Sequence, residues 1–239
     1  MKVTTNTPLI ENRVKWAKRI APVTMLLLVG GLVTNFLSLN QPEYLQPTMA
    51  LLALGFVSAI LSSHLANHWI KEPRADQTLT QLLKKFGNDY LLFNYTGPVS
   101  HVLLAPDGLY SIVVKNHPGQ ITVDGSKFSR KFSWGRVFRF FADEGLGAPI
   151  LEAEKAASKL KKFLGKTLNP EEIPPIKPLV LFTHKEVELL KNSPDAPVLT
   201  SAEFKLFLRE QSKSRVIATD QRAQLSQILN ASQSATTTE

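Results

Sequence analysis

The chain has 239 residues, with 28 Lys and Arg against 20 Asp and Glu and a formal net charge of +8. A hydrophobic fraction of 44% and a charged fraction of 20% exclude a wholly disordered or fibrous chain, and the lack of Cys excludes disulfides, Cys-ligated zinc, iron–sulfur clusters and thiol catalysis. A basic balance of this size points to anionic partners, either nucleic acid or a phospholipid surface, and its distribution along the chain decides between them.

Residues 1–19 form a basic N-terminal segment with Lys2, Arg13, Lys15, Lys18 and Arg19. No Asp, Glu, Lys or Arg occurs in 21–42 or 44–70, and Glu43 is the only charge between them. A bilayer core needs about 20 mostly apolar residues. Residues 20–39 and 48–70 both satisfy this, and the connector 40–47 carries turn-forming Asn and Pro. The pattern predicts a transmembrane helical hairpin over 20–70. Lys71 and Arg74 follow the second span and the connector has neither Lys nor Arg, so the positive-inside rule places both termini in the cytoplasm. The expected location is the plasma (inner) membrane, multi-pass, with the lipid bilayer as first partner. A cleaved signal peptide is the rival reading of the first span, but no small-x-small site follows Leu39 and a second span comes at once. Gly55, Ala59 and Ser63 recur every four residues, a stripe where another backbone approaches closely. Its favoured occupant is Gly30–Gly31 of the same hairpin, and the alternative is a second copy of the chain. His64 and His68 share a helix face at a spacing compatible with a metal; without a third ligand they read as interfacial polar residues, and no metal site is assigned.

Residues 71–230 form the predicted cytoplasmic α/β domain, and the small, polar tail 231–239 (ASQSATTTE) is expected to be disordered. Leu79, Leu82, Leu83 and Phe86 have helical spacing. Apolar runs at 90–95, 99–105, 109–115, 120–123 and 127–132 are separated by Gly-Pro, Asp-Gly and Pro-Gly signals, which reads as a β-meander of tight hairpins. Residues 150–164 return to helical period, 169–178 are a Pro-rich connector, and 179–182 a short buried strand. Thr183–Glu186 and Thr200–Glu203 have capping-box form and predict helices near 184–192 and 201–211. Val216–Ile217 is a further strand candidate, and a last helix is expected over 220–230.

No P-loop, G-x-S-x-G elbow, H-E-x-x-H or dinucleotide fingerprint is present. The helix ADQTLTQLLKKF from residue 75, the strands VSHVLLAPDGLYSIVVKNHPGQI and the segment APILEAEKAASKLKKFL resemble the nuclease-related domain family, NERD. The resemblance covers about 75–182 and implies a PD-(D/E)XK nuclease-like fold: a β-meander flanked by helices, here preceded by a two-helix transmembrane hairpin. It also implies a site. The family's opening Gly-Glu stands as Ala75 and Asp76. Its Ile-Asp-His stands as Val99, Ser100 and His101, so the metal-binding Asp is Ser100. Its Ile-Glu-x-Lys-Asn stands as Ile112, Val113, Val114, Lys115 and Asn116, so the metal-binding Glu is Val113 and only the Lys remains, as Lys115. The Asn-Pro-x-x-Gln of the later helix stands as 148–152, ending in Glu152.

Phosphodiester cleavage of this type uses Mg²⁺, a hard ion that wants carboxylate anchors. Ser is a poor neutral ligand and Val is none. The favoured reading is therefore a degenerate nuclease site with no cofactor, in a protein that acts as a binding or scaffolding module with nucleic acid as the inherited ligand. The enzyme alternative is a nuclease with relocated carboxylates, in which Lys115, Asp76 and Glu152 are catalytic and Mg²⁺ binds. A third alternative is a membrane-assembly protein that binds protein partners or anionic lipid headgroups. The candidate binding surface is the stretch 127–141, where Lys127, Arg130, Lys131, Arg136 and Arg139 interleave with Trp134 and five Phe, a combination suited to phosphate contact and base stacking. Its rival is an amphipathic strand with the aromatics in the core. Of the +8, residues 1–20 carry +4, Glu43 carries −1 and residues 71–239 carry +5, so half of the excess is a topology signal.

Overall fold

The structure is a computed structural model and describes residues 1–131, 145–192 and 197–236, the last five by backbone alone. Two compact units are formed, the helical hairpin and an α/β domain.

In the hairpin, α1 (Thr7–Ser38) and α2 (Leu45–Leu65) are joined by a 3₁₀ turn at Pro42–Tyr44, and α2 passes into a π turn at Ala66–Ile70. The two helical segments, Thr7–Ser38 and Pro42–Leu83, are long and apolar enough to cross a bilayer. Their apolar side chains point outward: Leu26 is 73% and Phe36 70% exposed, which suits a lipid solvent and not water. The buried positions of α1 are Ile10, Ala17, Thr24 and Gly31, and those of α2 are Thr48 and Gly55, each set spaced by seven. A seven-residue seam of small side chains lets two helices approach along their length. A Cβ on Gly31 would lie 2.7 Å from the Leu52 side chain, and one on Gly55 2.7 Å from Leu28. The Thr24 and Ser58 hydroxyls meet at 2.6 Å across the seam. Gly55 is thus occupied inside the hairpin, by Leu28 rather than by Gly30–Gly31. The first helix begins at Thr7, ahead of the expected span 20–39, because nothing between Leu9 and Ala21 breaks a helix.

Residues Lys2–Thr5 (β1) belong to the α/β domain. The strands that follow are β2 (Leu91–Asn94), β3 (His101–Ala105), β4 (Gly108–Lys115), β5 (Gly119–Asp124), β6 (Lys127–Arg130), β7 (Ile176–Phe182), β8 (Val187–Lys191) and β9 (Val198–Thr200). A six-stranded sheet has the order β1-β2-β3-β4-β7-β9, and a three-stranded sheet the order β6-β5-β8. The expected meander holds only from β2 to β4. After β4, Pro118 supplies no N–H and Gly119 turns with φ +87°, so the chain leaves the sheet. The free side of β4 is taken instead by β7, in parallel, from Leu109 opposite Ile176 to Lys115 opposite Phe182. Pro178 lies inside β7, in the part that β9 does not reach, since that pairing begins at Val180.

The predicted helix at 184–192 is instead strand β8. Its side chains alternate between half-buried and exposed, and it pairs in parallel with β5. Glu186 turns its backbone N–H onto His184 Nδ1 at 3.1 Å, so the apparent cap closes a turn. The second capping box is real. Thr200 and Glu203 exchange bonds at the start of the helix Ser201–Gln211, and Glu203 also takes Lys191 Nζ at 2.8 Å. Burial raises the Glu203 pKa, but Lys191 and the Thr200 groups outweigh it and hold the carboxyl below its ordinary value. Val216 and Ile217 form no strand; both backbone N–H groups donate to Pro106 O.

Among the described residues, four helices cover the sheets: α3 (Ala75–Leu83), α4 (Pro149–Leu164), α5 (Ser201–Gln211) and α6 (Thr219–Thr236). The last runs well into the segment expected to be disordered, whose Ala and Gln favour helix and which has no Gly or Pro. Leu79 and Leu83 of α3 and Phe204 and Leu208 of α5 pack on Leu103, Ala105, Tyr110 and Ile112. Leu160 and Leu164 of α4 and Leu225 and Leu229 of α6 pack on Val102, Leu104 and Leu109, the other face. A third cluster joins Ile121 and Val123 to Ile150, Ala153, Val180 and Phe182. Each such buried Leu, Ile or Phe contributes about 1.5–3 kcal/mol.

The edge strand β1 is fastened by a buried polar chain. Asn94 donates from Nδ2 to Thr5 Oγ1 at 3.2 Å, and its Oδ1 meets His101 Nδ1 at 2.9 Å. Replacing Asn94 by Ala removes both bonds, and we expect a loss of about 2 kcal/mol, read by denaturant unfolding. A cost within experimental error would mean that β1 is held by its backbone ladder alone.

Candidate functional site

Strand β4 is buried from Gly108 to Ile112 and partly open over Val113–Lys115. Alternation sends Tyr110, Ile112 and Val114 to the α3 and α5 face, and Val113 to the third cluster. Lys115 bonds into α4. Its Nζ lies 2.8 Å from Glu152 Oε2 and 3.1 Å from Oε1. Pro149 opens α4, and Glu152 sits in the first turn, where the partial positive charge of the helix end favours a carboxylate. The Lys115 side chain is 16% exposed and that of Glu152 44%, so solvent screens the pair only in part.

Gly147 completes this arrangement, although its sequence context reads only as loop. It has φ +66°, and a Cβ there would stand 2.7 Å from Glu152 Oε1 and 3.9 Å from Lys115 Nζ. The backbone conformation favours Gly, and a Cβ would have to push the flexible end of the Glu152 side chain aside. Its one sequence signal is a Gly two residues before a Pro-initiated helix, a pattern that ordinary loops share.

The remaining family positions fall as follows. The β3–β4 pairing begins at Val102 opposite Ser111, so the start of β3, which Ser100 precedes, lies at the same end of the sheet as Val113 and Lys115. Ser100 is exposed just before β3, where its carbonyl accepts the Tyr95 N–H at 2.7 Å. Ser100, Val113, Lys115 and Glu152 therefore gather at one end of the sheet. Asp76 does not join them on this face. It is buried on α3, whose Leu79 and Leu83 pack on the opposite side of β4. Among the described residues no three His, Asp or Glu side chains gather to hold a metal. A neutral hydroxyl, a Val, and a carboxylate already neutralised by Lys⁺ are a poor donor set for Mg²⁺, and the residues present do not fit the ion.

Of the candidate binding residues, Lys127 and Lys131 are exposed at the ends of β6. Arg130 is half-buried and donates from Nε to Pro118 O at 3.0 Å, so it is partly committed to structure. Phe128 packs toward Phe182, with ring centroids 6.3 Å apart, as the amphipathic-strand reading expects. Trp134, Arg136 and Arg139 lie outside the described residues.

The other end of β4 holds a polar cluster that the sequence does not announce. Tyr110 donates its hydroxyl to Asp107 Oδ2, and Lys177 Nζ reaches the same oxygen at 2.6 Å. Burial, followed by the bond to Asp107, pushes the Tyr110 phenol far above its ordinary range. The cluster ties the β3–β4 turn to β7.

Replacing Gly147 by Ala is expected to cost about 1–3 kcal/mol, part from backbone strain and part from displacing Glu152. The same substitution in a Glu152→Ala background should cost visibly less, because only the strain remains. Equal costs in the two backgrounds, measured by unfolding, would mean that Gly147 does not serve the ion pair.

No curated protein and no solved structure matches the chain. The sequence model of the nuclease-related domain family, NERD, matches residues 67–183, a range that holds Asp76, Ser100, Val113, Lys115 and Glu152. The chain thus carries a nuclease-related domain of the NERD family over residues 67–183, preceded by two helices long and apolar enough to span a membrane.

Proposed function

We propose that this is a membrane-held, cytoplasm-facing nuclease-related domain that binds nucleic acid without cleaving it. The observation that carries the reading is the Lys115–Glu152 pair, at 2.8 Å, where Ser100 and Val113 stand at the family's metal positions. The Lys that would act on a metal-bound water is charge-satisfied by a carboxylate from α4, and among the described residues no three His, Asp or Glu side chains gather to recruit the ion.

The topology has its own support. Strand β1 lies before the hairpin and pairs with β2, which lies after it, from Lys2 opposite Leu91 to Thr5 opposite Asn94. A chain that crosses a bilayer between these strands must cross it an even number of times. The basic residues on both flanks of the hairpin support the cytoplasm as that common side, and an inner membrane is part of the proposal. Exposed Lys127 and Lys131 supply the start of a phosphate-binding surface.

The relocated-carboxylate enzyme keeps one supporting observation, the closeness of Glu152 to Lys115, and the test separates the two readings. The purified full chain is incubated with single- and double-stranded DNA and RNA in Mg²⁺ or Mn²⁺, and binding is followed over a salt series. We expect no metal-dependent cleavage and an affinity that falls steeply with salt; Lys127→Ala with Lys131→Ala should weaken binding and flatten the slope by about 1 per lost phosphate contact. Cleavage that disappears in Lys115→Ala would overturn the proposal, and salt-independent binding or none would remove nucleic acid as the ligand.

A further inference from the structure

The end of the sheet away from Lys115 carries a cleft of about 320 Å³, walled by the segment after α3, the β3–β4 turn and the end of α5. Its charged lining is Lys85, Asp89, Arg209 and Arg215. The single carboxylate is already engaged: Asp89 accepts from Arg215 at 3.2 Å and from Arg222 at 3.1 Å. Lys85 and Arg209 have no carboxylate partner among the described residues. Three cations thus line one space in which, among the described residues, Asp89 is the only carboxylate, and it pairs with Arg215 and not with Lys85 or Arg209.

The walls are fixed rather than loose. Phe86 and Tyr90 meet edge to face at 4.9 Å, and Tyr90 donates its hydroxyl to Leu208 O at 3.1 Å. Pro106 O accepts the N–H groups of Val216 and Ile217 at 3.0 and 3.1 Å, which holds the segment bearing Arg215. A solvated row of surface cations would have neither a concave wall nor an aromatic one. The volume lies in the range of small-molecule sites, and convergent Arg and Lys donors suit phosphate oxygens.

We propose that this cleft binds a small phosphate monoester of mononucleotide size, with Lys85, Arg209 and Arg215 on the phosphate and Phe86 against the remainder. The site is separate from the Lys115 end and does not rest on the nucleic-acid reading. Two sources share this chemistry, a soluble nucleotide and the monoester headgroup of phosphatidic acid.

The test is calorimetric titration of the full chain in zwitterionic nanodiscs with adenosine monophosphate and, separately, with glycerol 3-phosphate as a soluble headgroup fragment. Saturable binding, weakened about tenfold or more in Arg209→Gln and again in Lys85→Gln, is the expected result; tighter binding of the nucleotide assigns a soluble source, and tighter binding of the glycerol ester a headgroup. The two variants lie on different segments, and unchanged unfolding temperatures guard against a folding defect. Absence of saturable binding by both probes, or binding that neither variant weakens, would overturn the proposal.

Discussion

The parallel pairing of β4 with β7 is the constraint from which the rest of the domain follows. Parallel neighbours cannot be joined by a tight turn, so about sixty residues must lie between them and must cross a face of the sheet. The crossover contains the β5–β6 hairpin and α4, and packing Leu160 and Leu164 onto Val102, Leu104 and Leu109 fixes where α4 begins. That beginning delivers Glu152 to the open end of β4. One strand pairing therefore sets the meander's length, the split into two sheets and the partner of Lys115.

The same geometry supports the proposal that the site does not hold a metal. Two acidic residues at the ends of β3 and β4 would repel each other and need a divalent cation between them. With Ser100 and Val113 in their places no such repulsion exists, and a single Lys⁺ balanced by a single carboxylate is electrically complete. The positive φ of Gly147 and its lack of a Cβ make room for that balance, which ties a loop residue to the electrostatics of the site.

Much of this is legible in the sequence, for identifiable reasons. Apolar runs bounded by turn residues place β2, β3 and β4, which are buried on both faces, and helical period places α3 and α4, which bury one face. Thr200–Glu203 is a true cap, whereas Thr183–Glu186 has the same letters and opens a strand; only the pairing of β8 with β5 separates them. Strand β1 is hidden because four residues, KVTT, ahead of a long helix carry no pattern of their own, and their strand character comes from β2. The seam of the hairpin is disguised by its period: Gly55, Ala59 and Ser63 advertise a four-residue stripe, while the packed positions recur every seven. Gly147 and the Asp107–Tyr110–Lys177 cluster depend on residues far apart in the chain, which composition and spacing do not connect.

Metal affinity tests the central claim, that the Lys115–Glu152 pair stands in place of a divalent-cation site. Mn²⁺ titrated into the full chain and into the Ser100→Asp, Val113→Glu double variant, followed by electron paramagnetic resonance of the free ion, reads it directly. The natural chain should show no stoichiometric Mn²⁺ binding, and the variant should gain a site, because two carboxylates are restored beside Lys115. Stoichiometric binding by the natural chain, unchanged by the two substitutions and lost in Glu152→Gln, would contradict the claim.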